Sequence, residues 1–196
     1  MASSISSPAR WSAANAVAVA HTPRRPLESV ELSPSPIVAV LEQVEKPGNV
    51  GAILRTADAA GVEAVLLADP GTDLFNPNAI RASQGAIFTL KLAAAAATDI
   101  RAWLRHKQLP IFAARVDGAI DYREAQLAPP AALVLGSETD GLSDVWQSKG
   151  VTPIRLPMRG RVDSLNVSVA AGVLFYEALR AQSQDEVSLG PMPPSH

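Results

Sequence analysis

Cysteine is absent from the 196-residue chain, and histidine nearly so. The first absence excludes disulfide frameworks, thiolate zinc sites and thiolate nucleophiles together. His21, His106 and His196 lie far apart, so neither a histidine metal cluster nor a histidine-based triad is expected. No metal is expected. Charged residues make up 18% of the chain, below the usual quarter or so, against 47% hydrophobic. Much of it must therefore lie in a packed interior. No apolar run approaches the roughly 20 residues of a membrane-spanning helix, so no membrane association is expected. Neither charge sign is in clear excess, with 17 basic and 19 acidic residues and a formal charge of −2. Any contact with a polyanion must then come from a local patch. The G-x-G-x-x-G and G-x-x-x-x-G-K-[ST] spacings are missing too, which removes support for nicotinamide and nucleoside-triphosphate sites.

What the chain does have is an alternation. Apolar runs over residues 37–44, 64–68, 86–92, 111–116, 131–135 and 151–156 predict strands buried on both faces. Helix-like stretches over 49–60, 77–84, 98–107 and 142–149 fall between them. This pattern predicts an α/β domain: a mainly parallel sheet covered by helices on both faces, with sites at the carboxyl ends of strands. A last helix is expected from Ser164, burying Leu165, Val169, Gly172, Val173 and Tyr176. Residues 1–35 and 184–196, rich in Ser and Pro, read as a disordered leader and tail around a domain over 36–183. The stretch before Glu28, with Arg10, Arg24 and Arg25, weakly resembles a transit or signal segment. Pro8 and Asn15 interrupt its apolar run and favour an unstructured leader or an overlong start; a truncated amino-terminal extension is a further reading. A cytoplasmic location is the expectation, with organellar targeting left open.

Three polar motifs interrupt the apolar pattern. Lys46-Pro47-Gly48-Asn49-Val50-Gly51 runs from a strand end into a helix that carries Arg55. Asn49 stands where an N-cap belongs, and Gly51 and Arg55 share a helix face with space for a phosphate or sugar. Gly136-Ser137-Glu138-Thr139-Asp140-Gly141 follows the run 131–135; its glycines let backbone approach a ligand, and Glu138 puts a carboxylate in the mouth. Leu156-Pro157-Met158 enters a basic loop containing Arg159 and Arg161 and leads to Ser164-Leu165-Asn166. The small residues Ser168, Ala170, Ala171 and Gly172 that follow suit a tight chain crossing or a dimer interface. Each motif alone has a plain structural explanation as a cap, a turn or a core helix.

In this order and spacing the motifs resemble those of the SpoU (TrmH-type) branch of the SPOUT RNA 2′-O-ribose methyltransferases. The likeness extends through Asn76-Pro77 and Arg81-Ala82-Ser83 to Phe88, and spans residues 37–180. It implies a carboxyl-terminal trefoil knot, a homodimer, S-adenosylmethionine as cofactor without a metal, and methyl transfer to a ribose 2′-hydroxyl of rRNA or tRNA. It implies cofactor contacts around Gly136, Ile154, Leu156 and Leu165, with Ala113 a weaker candidate. Arg55 matches the family's catalytic arginine, and Asn49, Glu138, Ser164 and Asn166 its other polar site residues. Lys46, Arg81, Arg159 and Arg161 are the candidate RNA-binding patch. Two readings compete: an inactive RNA-binding relative, against which the intact polar set argues, and base methylation by the sister branch, against which the Asn49 to Arg55 motif argues. Base methylation through a cysteine adduct is already excluded.

Overall fold

A computed structural model describes residues 25–117 and 120–189. Seven strands form one sheet in which every pairing is parallel: β1 (Ile37–Glu42), β2 (Ala64–Ala68), β3 (Lys91–Ala95), β4 (Ile111–Ala114), β5 (Ile120–Asp121), β6 (Ala131–Leu135) and β7 (Val151–Arg155). Their order is β3-β2-β1-β6-β4-β7-β5. The helices are α1 (Pro47–Ala59), α2 (Pro77–Ser83), α3 (Ala86–Thr89), α4 (Ala97–His106) and α5 (Val167–Leu189).

The apolar runs become strands because alternate side chains enter different cores. Ile37, Ala39 and Leu41 join Val65, Leu67, Leu133 and Leu135 under α1, α3 and α5. Val38 and Val40 join Leu66, Ala132, Val134 and Ala113 under α4, with Trp146 from a short 3₁₀ turn at Asp144–Gln147. No residue of β1, β2 or β6 is exposed. The strand order reverses direction at β1. β2 and β3 build outward on one side, while β6, β4 and β7 build on the other. Such a switch point leaves a crevice beyond the strand ends.

Several expectations need correction. Residues 86–89 form helix α3, and the strand begins only at Lys91. Gln84 and Gly85 both take positive φ (52° and 95°), turning the chain there and restarting it as a short helix. The helix expected over 142–149 is only the 3₁₀ turn at Asp144–Gln147. The last helix begins at Val167 rather than Ser164, and buries Val167, Ala171, Leu174, Phe175 and Ala178. Val169 and Tyr176, expected inside, are each 51% exposed. The first three turns of α5 are apolar on more than one side, so helical spacing alone does not choose the face. Of the expected leader, residues 1–24 lie outside the described part; Leu27 and Val30 beyond them are buried in the α4-side core. The expected tail lies outside it from residue 190, and α5 runs on to Leu189.

Candidate active site

Gly136 leaves the end of β6 into a tight loop. Ser137 and Gly141 exchange two backbone hydrogen bonds, N–H to O, at 3.1 and 3.2 Å. Gly141 adopts φ 69°, a left-handed conformation that suits glycine. The closure is so close that a Cβ on Gly136 would lie 2.1 Å from the Gly141 carbonyl oxygen. The glycine therefore makes room for its own loop, and the loop in turn presents Ser137 and Glu138.

Glu138 is the hub of the polar set. Lys46 Nζ donates to its Oε2 at 2.7 Å, and Oε1 accepts from Asn49 Nδ2 at 3.2 Å, from the Val167 N–H at 3.3 Å and from Asn166 Nδ2. Asn166 Nδ2 also donates to Asn49 Oδ1 at 3.3 Å. The carboxylate thus sits between the amino-terminal ends of α1 and α5, where helix dipoles favour negative charge. The hydrogen bond and charge of Lys46, helped by the Val167 N–H, hold the Glu138 carboxyl below its ordinary value. The same ion pair raises Lys46.

The asparagines divide their work differently from expectation. Pro47 opens α1 behind Lys46, and no side chain caps it, so Asn49 is in the first turn and free to bond Glu138. Asn166 is the cap: its Oδ1 accepts from the Ser168 N–H at 3.0 Å and from Ser168 Oγ at 2.6 Å. Gly51 clears no room for a phosphate. A Cβ there would meet the Ala79 carbonyl oxygen at 2.4 Å and Ala82 Cβ at 2.6 Å, so the glycine lets α1 and α2 pack together.

Beside the hub lies a cavity of about 480 Å³ at the carboxyl ends of β4, β6 and β7. Its walls combine Leu135, Leu142, Leu156, Met158, Leu165 and Ala170 with Ser137, Glu138, Asp163 and Ser164. Of the candidate cofactor residues, Gly136, Leu156 and Leu165 line it, and so do Glu138 and Ser164. Ile154 and Ala113 do not. Both are buried within the sheet, and the Ile154 carbonyl accepts from the Arg115 N–H at 2.8 Å. The residue one step beyond Ala113, Ala114, lines the cavity instead, with Arg115 and Asp117. Arg115 is joined to Asp117 by Nε at 3.0 Å and Nη2 at 2.8 Å.

Arg55 is exposed on α1, outside the cavity lining, and its side chain makes no hydrogen bond or ion pair among the described residues. Arg159 and Arg161 are exposed on the loop between the lining residues Met158 and Asp163. Arg81 is exposed on α2, donating to Asn78. Lys46 is committed to Glu138 although its side chain is 71% exposed. Ala114, Arg115 and Asp117 of the cavity wall escaped notice in the sequence, as did Glu42, a buried carboxylate at the end of β1. A charge inside an otherwise apolar run is the signal that points to Glu42.

A sequence model of the SpoU rRNA Methylase family matches residues 36–176. The chain is 31% identical over 159 residues to the 23S rRNA (guanosine(2553)-2'-O)-methyltransferase of Bacillus subtilis, covering 81% of this chain and 62% of the relative. A crystal structure of an RNA 2'-O ribose methyltransferase superposes with a TM-score of 0.75 at 46% identity, over 83% of this chain and 62% of that one. The AdoMet-bound rRNA methyltransferase from Sinorhizobium meliloti gives 0.76 at 33% identity, over 81% and 61%. The chain spans about three-fifths of the length of the curated relatives it matches.

Proposed function

The chain belongs to the SpoU rRNA methylase family, and from that premise we propose that it transfers a methyl group from S-adenosylmethionine to a ribose 2′-hydroxyl of RNA. The observation that carries the reading is the Glu138 hub, which joins the first and third motifs at the mouth of the cavity. Motifs with separate structural duties would have no reason to converge on one carboxylate.

The cavity suits the cofactor. About 480 Å³ lies within the range of small-molecule sites, and walls that mix leucine, alanine and methionine with hydroxyl and charged groups match a nucleoside bearing a charged arm. Gly136, Leu156 and Leu165, with Ala114 and Leu142, would hold it. When bound, S-adenosylmethionine supplies an electrophilic methyl group on a sulfonium.

The chain's own residues have the remaining tasks. Glu138 receives four donors, so its task is to tie the first turns of α1 and α5 to the cavity rim, rather than to act as a base. Ser164, exposed at that rim, is free to meet the ribose. Arg55 offers a planar fork of N–H donors. In this reading it aligns the hydroxyl and a neighbouring phosphate, and that phosphate or a water accepts the proton. Arg159 and Arg161 beside the cavity supply phosphate contacts that the net charge does not.

A homodimer belongs to the same reading. Val169 and Tyr176 of α5, with Val162 and Val116, leave apolar side chains in solvent between 51% and 76% exposed. A second copy covering them would bring its own Arg55 to this cavity or receive the one here. The trefoil knot is proposed with it, since the loops after β6 and β7 that it would interlace both line the cavity.

The test is transfer of a labelled methyl group to total RNA, followed by mapping of positions resistant to alkaline cleavage. A 2′-O-methyl caps the oxygen that would otherwise attack the adjacent phosphate, so modified positions resist. Label recovered only on bases would reject the ribose assignment, and cofactor binding without transfer to any RNA would favour an inactive relative.

A further inference from the structure

Glu42 is the only buried carboxylate among the described residues, with 1% of its surface exposed. It ends β1 on the face where Trp146 fills the core. Both of its oxygens are used. Oε2 accepts from the Ser143 N–H at 2.7 Å, while Oε1 accepts from Ser143 Oγ at 2.7 Å and from Trp146 Nε1 at 2.9 Å. Its donors are 101 and 104 residues away along the chain, so these bonds fix tertiary position rather than local conformation.

What they fix is the far end of the loop that begins at Gly136. Its near end is held because Leu135 pairs with Leu41 of β1, the residue before Glu42. Its middle is closed by the Ser137–Gly141 exchange. Adjacent residues of one strand therefore hold both ends of a loop whose Ser137, Glu138 and Leu142 face the cavity. Glu42 itself does not line that cavity.

We infer that Glu42 is a positioning residue: through Ser143 and Trp146 it sets the shape of the cofactor loop and so the affinity of the cavity for S-adenosylmethionine. The inference rests on the reading of that cavity as the cofactor site.

The hydrogen-bond count requires a carboxylate. A glutamine offers one oxygen and one NH₂. If its oxygen serves the Ser143 N–H, the NH₂ can donate to Ser143 Oγ but faces the indole N–H. If it is turned over, the NH₂ faces the Ser143 N–H. Either way two donors meet with no acceptor between them. Phenylalanine at 146 removes the indole donor and lets a glutamine satisfy both remaining groups in the first orientation.

The experiment is calorimetric titration of S-adenosylmethionine into the full chain as wild type, Glu42→Gln, Trp146→Phe and the double variant. Hydrogen exchange at the Leu142 and Ser143 amides is followed in all four. Glu42→Gln is expected to weaken binding by ~10-fold or more and to speed exchange at those amides. The double variant is expected to bind within about threefold of Trp146→Phe. A Glu42→Gln chain that loses its fold but regains it with Trp146→Phe supports the inference as well. Unchanged affinity and exchange in Glu42→Gln would overturn it, as would equal damage, or loss of the fold, in both backgrounds. Failure of the wild type to bind would overturn the cofactor reading, and the exchange data alone would then decide whether Glu42 positions the loop.

Discussion

Substitution of Gly136 by alanine puts the loop geometry to a direct test. The added Cβ would lie 2.1 Å from the Gly141 oxygen, 2.3 Å from its carbonyl carbon and 2.8 Å from the Leu142 nitrogen. Comfortable non-bonded separations are about 3.5–4 Å, so the Gly141 peptide must retreat by more than about 1 Å. All three atoms are backbone, and no side-chain rotation relieves them. Overpacking of this kind costs about 1–3 kcal/mol. Retreat also breaks the two Ser137–Gly141 hydrogen bonds, at roughly 0.5–1.5 kcal/mol each. The expected loss is therefore about 2–6 kcal/mol, which a domain of typical stability, roughly 5–15 kcal/mol, survives only narrowly or by opening the loop. Gly160→Ala is the control, because, its chain neighbours aside, no atom of the described residues lies within 4 Å of the position its Cβ would take. Urea denaturation of both variants, with calorimetry of S-adenosylmethionine binding, distinguishes the cases. Gly136→Ala should lose stability or cofactor affinity or both, while Gly160→Ala stays within about 0.5 kcal/mol of wild type. If Gly136→Ala matched its control in both measurements, the tight loop would not be what the glycine serves.

The polar hub makes a prediction about acid. Glu138 titrates below its ordinary value of 4.5 in the folded chain because Lys46 and the Val167 N–H favour its charged form. The unfolded chain therefore binds the proton first, so the hub's contribution is complete above about pH 4.5 and is lost as pH falls through the lowered value. Glu138→Gln should flatten that limb of a stability-against-pH curve measured by denaturation, and an unchanged limb would place the acid sensitivity elsewhere. Arg55→Lys should lower turnover at least ~10-fold with RNA affinity little changed, since a point charge cannot reproduce a planar fork; near-normal turnover would remove guanidinium geometry from the mechanism. Reversing both Arg159 and Arg161 to glutamate should weaken RNA binding and lower the slope of log affinity against log salt by about 2 or more, seen by titration at several ionic strengths; an unaltered slope would move the phosphate contacts off this loop. Tyr176→Asp should shift the mass measured by light scattering toward a single copy if α5 is the dimer face, and a mass unaffected by the change would reject that face.

The sheet was legible because of its depth. Strands β1, β2 and β6 are covered on both sides, so each reads as an unbroken apolar run, and the alternation with helices follows from the parallel connections. Legibility failed where the same apolar composition serves two conformations. Residues 86–89 look like the start of a strand, but the positive φ of Gln84 and Gly85 re-aims the chain into a short helix first. In α5, Val169 and Tyr176 stand seven residues apart, as the buried Val167 and Leu174 do, and only contact with α1 and the sheet decides between the two faces. The site was legible as motifs but not as a division of labour. Asn49 and Asn166 have the same cap chemistry, yet Pro47 starts α1 early and leaves Asn49 to Glu138, while Asn166 caps α5.

Glu42 shows where the boundary between the readable and the unreadable falls. Alternation along β1 places it on the same side as Val38 and Val40, inside, and a carboxylate in such a position must find donors or be neutralised. That much follows from the sequence around it. The donors, at Ser143 and Trp146, lie beyond any local window, and nothing in their own surroundings marks them as partners of a strand a hundred residues earlier. Local chemistry can therefore state that a buried charge needs a partner, and only the fold supplies which one. In this protein the partner is the loop that walls the proposed cofactor site, so a packing requirement of the core and the shape of the site are one and the same constraint.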